Sequence, residues 1–150
     1  MNNGDRNFWY YFETLVMFFW QLPQNLVAII MMPFIGKMKM ICHENHCWAF
    51  ECERMTGGIS LGSFVFVSPF SAQRTATVLH EFGHVVDSHM FGPLYLFVIG
   101  IPSLCWAALT PKTKCYYDFY TEKRANRHAG LKVGRNKYGC YTYIPKDKEE

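Results

Sequence analysis

Apolar residues follow two kinds of pattern along this chain. In the first, Thr14 to Gly36 forms a block of 23 residues with no charged side chain, and Met90 to Pro111 a block of 22. Each is long enough in principle to cross a hydrocarbon core of about 30 Å. Each is also interrupted: the first by Gln21-Leu22-Pro23-Gln24-Asn25, the second by Gly100-Ile101-Pro102-Ser103, where proline removes a backbone donor. In the second pattern, apolar and polar residues alternate or recur at helical spacing. Lys39 to His43 and His46 to Cys52 read as strands around a Glu44-Asn45 turn, and Gly57-Gly58 precede a third strand from Ile59 to Val67. From about Ser71 the period lengthens, with Ala72, Thr75, Ala76, Leu79, Phe82, Gly83 and Val86 at three- and four-residue steps. Gly92-Pro93 ends that helix. A last helix is expected from Asp118 to about Ala129 with Gly130 as its C-cap, then short strands at Lys132-Val133 and Tyr141 to Ile144. The expected fold is α+β, one domain over residues 1–150, with no repeat or linker.

Composition narrows the function classes. The chain is 50% hydrophobic and 18% charged, against about 25% charged in average domains, which excludes a disordered or solvating chain. A net charge of +3 is too small for nucleic acid to be the main partner. The surplus of apolar residues points to contact with membrane lipid, and Trp9, Tyr10, Tyr11 and Trp20 suit an interfacial aromatic belt. The leading Met1 to Arg6 carries one Arg balanced by one Asp, and no small-x-small cleavage site follows, so the first apolar block is expected to stay on the protein.

The chemistry sits on the central helix. His80-Glu81-Phe82-Gly83-His84 is an H-E-x-x-H pattern. Residues i and i+4 share a helix face, so both imidazoles can address one tetrahedral ion. Glu81 can then act as general base on a water whose pKa the metal lowers. A catalytic zinc normally takes a third protein ligand. A histidine ten residues after His80, as in metzincins, is absent because that position is Met90, and His89 lies about 140° round the helix from His84. The remaining choices are an upstream cysteine, Cys47 or Cys52, as in deformylases, and Glu122 on the last helix. Asn126, four residues on, shares the face of Glu122 and can hydrogen-bond the far nitrogen of a ligating histidine.

His80-Glu81-Phe82-Gly83-His84 together with Glu122-x-x-Ala125-Asn126 resembles the gluzincin metallopeptidases, above all the membrane-embedded branch of CAAX prenyl proteases and bacterial heat-shock membrane proteases. It also resembles small bacterial proteins in which this motif is followed by Gly92-Pro93-Leu94-Tyr95-Leu96, Gly100-Ile101-Pro102-Ser103-Leu104 and Tyr120-Thr121-Glu122-Lys123. Asn126 departs from the pattern, which usually has Asp there; a neutral amide orients a histidine without stabilising positive charge on it. The resemblance implies a minimal zincin-like fold and a peptidase with one Zn2+ per chain. His80, His84 and Glu122 would be its ligands, Glu81 its base, and a peptide or protein its substrate. It also implies an edge strand around Phe64-Val65-Phe66 pairing with extended substrate. A scaffold without activity and a deformylase-like amidase are the alternatives.

Metal and membrane constrain each other. A straight span over 90–111 would put His80 and Glu122 on opposite sides of a bilayer, roughly 30 Å apart. The expectation is therefore two apolar helical hairpins dipping into one leaflet. Ten of the fifteen Lys and Arg residues follow Pro111 and one precedes Thr14, which by the positive-inside bias puts the catalytic part on the cytoplasmic side. Cys42, Cys47 and Cys52 are then expected as reduced strand residues, and Cys105 as packing.

Overall fold

The computed structural model describes residues 7–70, 74–111, 114–137 and 139–145. It is a mixed helix-and-sheet protein. A four-stranded sheet is built from β1 (Met38–Glu44), β2 (Cys47–Cys52), β3 (Gly58–Leu61) and β4 (Phe64–Val67) in the order β1-β2-β4-β3. The β2–β4 pair is parallel and the other two pairs are antiparallel. Side chains of β4 alternate between two cores, as the two-residue period of a strand requires. Phe66 joins Ala28, Ile35, Cys52 and Leu61 on one face, whereas Val65 and Val67 join Cys47, Ala49 and Val85 on the other. The sheet is thus covered by α2 (Leu22–Met31) on one side and α3 (Arg74–Phe91) on the other.

Two turns differ from the sequence expectation. The β1–β2 turn is Asn45-His46 rather than Glu44-Asn45, with both residues at positive φ (50° and 60°) as a tight two-residue hairpin loop demands. The stretch from Ile59 to Val67 is a second hairpin rather than one strand. Gly62 turns at φ 63°, and the Ser63 amide donates to Asn25 Oδ1 at 2.7 Å. A Cβ on Gly62 would collide with Asn25, so the turn depends on a side chain from far upstream.

The apolar blocks are not hairpins. The first forms α1 (Phe8–Trp20) and α2, and the axis bends by 84° between them. The polar residues at the break are the reason. Gln21, Gln24 and Asn25 are fully buried in an elbow network. Gln24 Nε2 donates to Ser88 Oγ (3.1 Å) and to the Gly92 carbonyl (2.9 Å), and Ser88 Oγ donates to Gln21 Oε1 (2.6 Å). The second block is continuous from Leu96 to Leu109, a π-helical stretch to Gly100 followed by α4 (Ile101–Leu109). Pro102 does not break it. The Val98 carbonyl, which Pro102 has no N–H to reach, accepts instead from the Tyr120 hydroxyl. No single helix among the described residues is long and apolar enough to cross a membrane. Much apolar side chain nevertheless faces outward from α1, α2 and α4, including Phe8, Phe19, Ile30 and Leu104. Cys105 is exposed on α4 rather than packed.

The chain closes with α5 (Tyr120–Ala129), ended by Gly130 at φ 67°, and a hairpin of β5 (Lys132–Asn136) and β6 (Gly139–Tyr143). A disulfide joins Cys115, just before α5, to Cys140 on β6. Cys42, Cys47, Cys52 and Cys105 are free.

Candidate metal centre

The centre is built by the close approach of α3 and α5. Gly83 makes this approach sterically feasible: a Cβ there would run into the backbone carbonyl of Ala125, itself fully buried. Farther along the pair, Asp87 on α3 accepts from Arg124 Nη2 at 2.7 Å and lies 3.1 Å from His128 Nε2 on α5. A small-residue contact and an ion pair to the buried Asp87 therefore fix the register of the two helices.

That register carries Glu122 onto the face of His80 and His84. Glu122 Oε2 is 3.0 Å from His80 Nε2 and 3.6 Å from His84 Nε2. All three residues are buried, and their ligating atoms lie within 4.8 Å of one another. Donor atoms about 2.0 Å from a tetrahedral ion stand roughly 3.3 Å apart, a value that the two Glu122 distances bracket. Two imidazoles and one carboxylate form a donor set that suits a divalent metal, and the geometry can hold one. Cys47 and Cys52, the other candidates for third ligand, are instead packed in the two cores.

The surroundings orient these groups. His80 Nδ1 is 2.9 Å from Asn126 Oδ1, an arrangement that keeps the proton on Nδ1 and leaves Nε2 to face Glu122. The other carboxylate oxygen, Glu122 Oε1, accepts from Ser103 Oγ on α4 (2.5 Å) and Thr121 Oγ1 (2.9 Å). Burial alone would raise the carboxyl pKa of Glu122, but its bonds with His80 and His84 hold it well below the usual carboxylate range. Burial pulls the His80 imidazole down, and Glu122 and Glu81 more than offset this, so its pKa is raised. The ionised Glu122 and the nearby Glu81 thus set negative charge beside the imidazole. His84 Nδ1 and Asn126 Nδ2 are buried without a partner among the described residues.

Glu81 lines a cavity of about 470 Å³, together with Gly57, Gly58, His80, Tyr116 and Tyr117. Its pKa is raised by burial, partly countered by His80 and His84. Gly58 leaves room for the Glu81 carboxylate, with which a Cβ at that position would clash. The strand at the cavity is β3, the sheet edge, and not the segment Phe64 to Phe66, which lies in β4 between β2 and β3. On β3 the Ser60 carbonyl is taken by the Tyr95 hydroxyl at 3.3 Å, whereas Gly57 and Gly58 line the cavity.

Tyr116 and Tyr117 were not singled out by sequence. The Tyr117 ring packs edge-on to His80 at 5.5 Å, and Tyr116 lies beside Ser103 and Glu122. Their one sequence signal is position, immediately upstream of the helix that bears Glu122. On α5 the Tyr120 hydroxyl bonds the Val98 carbonyl, and His128 Nε2 lies 3.1 Å from Asp87. The chain matches no protein-family model, no curated protein and no solved structure.

Proposed function

We propose that this protein is a membrane-associated zinc metallopeptidase that hydrolyses peptide bonds. One observation carries the reading: a buried His80–His84–Glu122 cluster with a buried carboxylate, Glu81, between it and an open cavity. A divalent metal held there supplies Lewis acidity, polarising a carbonyl and lowering the pKa of a coordinated water. The protein's own groups do the rest. Glu81, one residue from His80 and facing the cavity, takes a proton and returns it to the leaving amine. Its raised pKa brings it closer to neutrality than an ordinary carboxylate, which favours both transfers. Tyr117, beside His80 on the cavity wall, is the hydroxyl best placed to hydrogen-bond a substrate carbonyl oxygen. At the β3 edge, Gly58 offers an extended peptide a side-chain-free approach to Glu81.

Membrane lipid is the proposed partner of the outward apolar faces of α1, α2 and α4, whose segments 14–36 and 90–111 carry no charge. The basic C-terminal part supports a cytoplasmic catalytic side.

Metal content and turnover test the reading together. Purified wild type should hold about one zinc per chain, Glu122→Ala should lose it, and Cys47→Ala should keep it. On a panel of general peptide substrates, Glu81→Gln should keep the metal and lose turnover. Zinc lost with Cys47→Ala but kept with Glu122→Ala would sink the ligand set. Equal turnover in wild type and Glu81→Gln, or none in either, would favour a silent scaffold.

A further inference from the structure

The Cys115–Cys140 disulfide plays no part in the metal chemistry, yet it lies on the wall of the metal cavity. Cys140 lines that cavity together with Tyr116, Tyr117 and Tyr141. Tyr116 and Tyr117 follow Cys115 directly, and Thr142 on β6 lies beside Tyr117. The tyrosine turn and the β5–β6 hairpin therefore meet over His80 and Glu81, joined by one covalent bond and by weaker links. Another such link is the ion pair of Arg135 with Asp118, at 2.9 Å between two exposed side chains, a type that contributes little. The bridge closes a loop with a sequence separation of 25, and that loop contains all of α5, Glu122 and Asn126 included.

We propose that Cys115–Cys140 is a redox clamp on this cavity. Oxidised, it holds Tyr116 and Tyr117 against His80 and Glu122. Reduced, it releases the β5–β6 hairpin, widens the cavity and exposes the centre to exchange. The reductant is a protein or small-molecule dithiol. One of its thiolates attacks a sulfur of the bridge to give a mixed disulfide, and its second thiol displaces the cysteine. Two electrons and two protons pass to Cys115 and Cys140, and the reductant leaves as a disulfide. Disulfides in a reducing cytoplasm are mostly transient and sensing, so a cytoplasmic catalytic side makes this bridge a switch rather than a permanent staple. The metal-exchange part of the proposal rests on the metal centre proposed above, and the reading of the bridge as a switch rests on the cytoplasmic side proposed there; the clamp geometry rests on neither.

The test uses the full chain, loaded with zinc, with and without a water-soluble phosphine, which reduces the bridge and takes up oxygen from water. Two quantities are read: the rate of zinc transfer to a chromogenic chelator, and backbone amide hydrogen exchange. Reduction should speed zinc transfer roughly tenfold and loosen amides 115–118 and 139–143 while leaving 80–86 protected. The Cys115→Ser/Cys140→Ser double variant should be fast in both conditions, which also removes any direct effect of the phosphine on zinc. Unchanged exchange in wild type after both thiols are shown free by mass shift would overturn the clamp. So would a phosphine-sensitive double variant, or a purified wild type in which these two cysteines are not bridged. A chain that binds no zinc would defeat the metal-centre reading, and amide exchange would still decide the clamp.

Discussion

The α3–α5 interface and the apolar arms are held in opposite ways. Where α3 meets α5, polar groups pair across the interface: His80 with Asn126, His80 and His84 with Glu122, and the buried Asp87 with Arg124 and His128. The arms present mostly apolar surface, and α4 has no buried residue at all. Beyond the packing of Ala28 in the first core, hydrogen bonds tie them to the rest, among them Gln24 to Ser88 and Gly92, Ser63 to Asn25, Trp20 to the His89 carbonyl, Tyr120 to Val98, and Ser103 to Glu122. Contacts that fix the relative positions of buried polar side chains must be directional, and hydrogen bonds and small-residue packing supply direction. Contacts through apolar surface need only area. One chain of 150 residues divides these two kinds of contact between its regions.

Perturbing the α3–α5 interface should have the largest effect. Gly83→Val forces two methyl groups against the Ala125 carbonyl, and backbone cannot yield as a side chain does. The expected loss is about 3 kcal/mol, read as a lowered midpoint in denaturant, with zinc stoichiometry falling towards zero. A variant that unfolds at the wild-type midpoint would mean that the helices do not meet at this residue. At the elbow, Gln24→Leu removes the donor to Ser88 and leaves the Gly92 carbonyl buried without that bond, at a cost of about 1–2 kcal/mol. Metal content should be preserved, because the elbow holds an arm and not the ligands.

Changes on the arms should barely alter stability. Leu104→Ser, at a position 64% exposed, should shift it by about 0.5 kcal/mol or less while reducing partition into liposomes. Undiminished partition would remove α4 from the lipid-facing surface. Thiol reactivity sharpens the contrast without disturbing either region. Thiolate is the reactive form, and burial pushes the Cys52 thiol up to about 11 and Cys47 higher still. At pH 8 an alkylating reagent should therefore label exposed Cys105 and spare both core cysteines. As pH rises towards 11, Cys52 should begin to react, and Cys47 only on unfolding. Labelling of Cys47 at pH 8 would contradict the packed second core.

Local spacing made part of this visible before any coordinates. The four-residue steps from His80 to His84 and from Glu122 to Asn126 place each pair on one helix face, and those faces do meet. The α3 and α5 helices were legible from their period and from Gly130. What escaped depends on partners distant in sequence. Gly62-Ser63 read as strand interior because Asn25, which fixes the turn, lies 38 residues away. Gln21, Gln24 and Asn25 read as an interruption in a membrane segment because Ser88 and Gly92 could not be seen beside them. The bridge across Cys115 and Cys140 leaves no local periodicity to read.

The two hydroxyls on Glu122 Oε1 have a consequence for metal choice. With Ser103 and Thr121 occupying that oxygen, the carboxylate presents only Oε2 to the cluster. It is a one-armed ligand. Calcium, which gathers six to eight oxygens and often takes both from a carboxylate, is poorly served by two imidazoles and a single oxygen. Magnesium, which asks for near-octahedral oxygen, fares no better. For an ion held there, discrimination would thus begin with a serine on the apolar helix α4, outside the candidate ligands altogether.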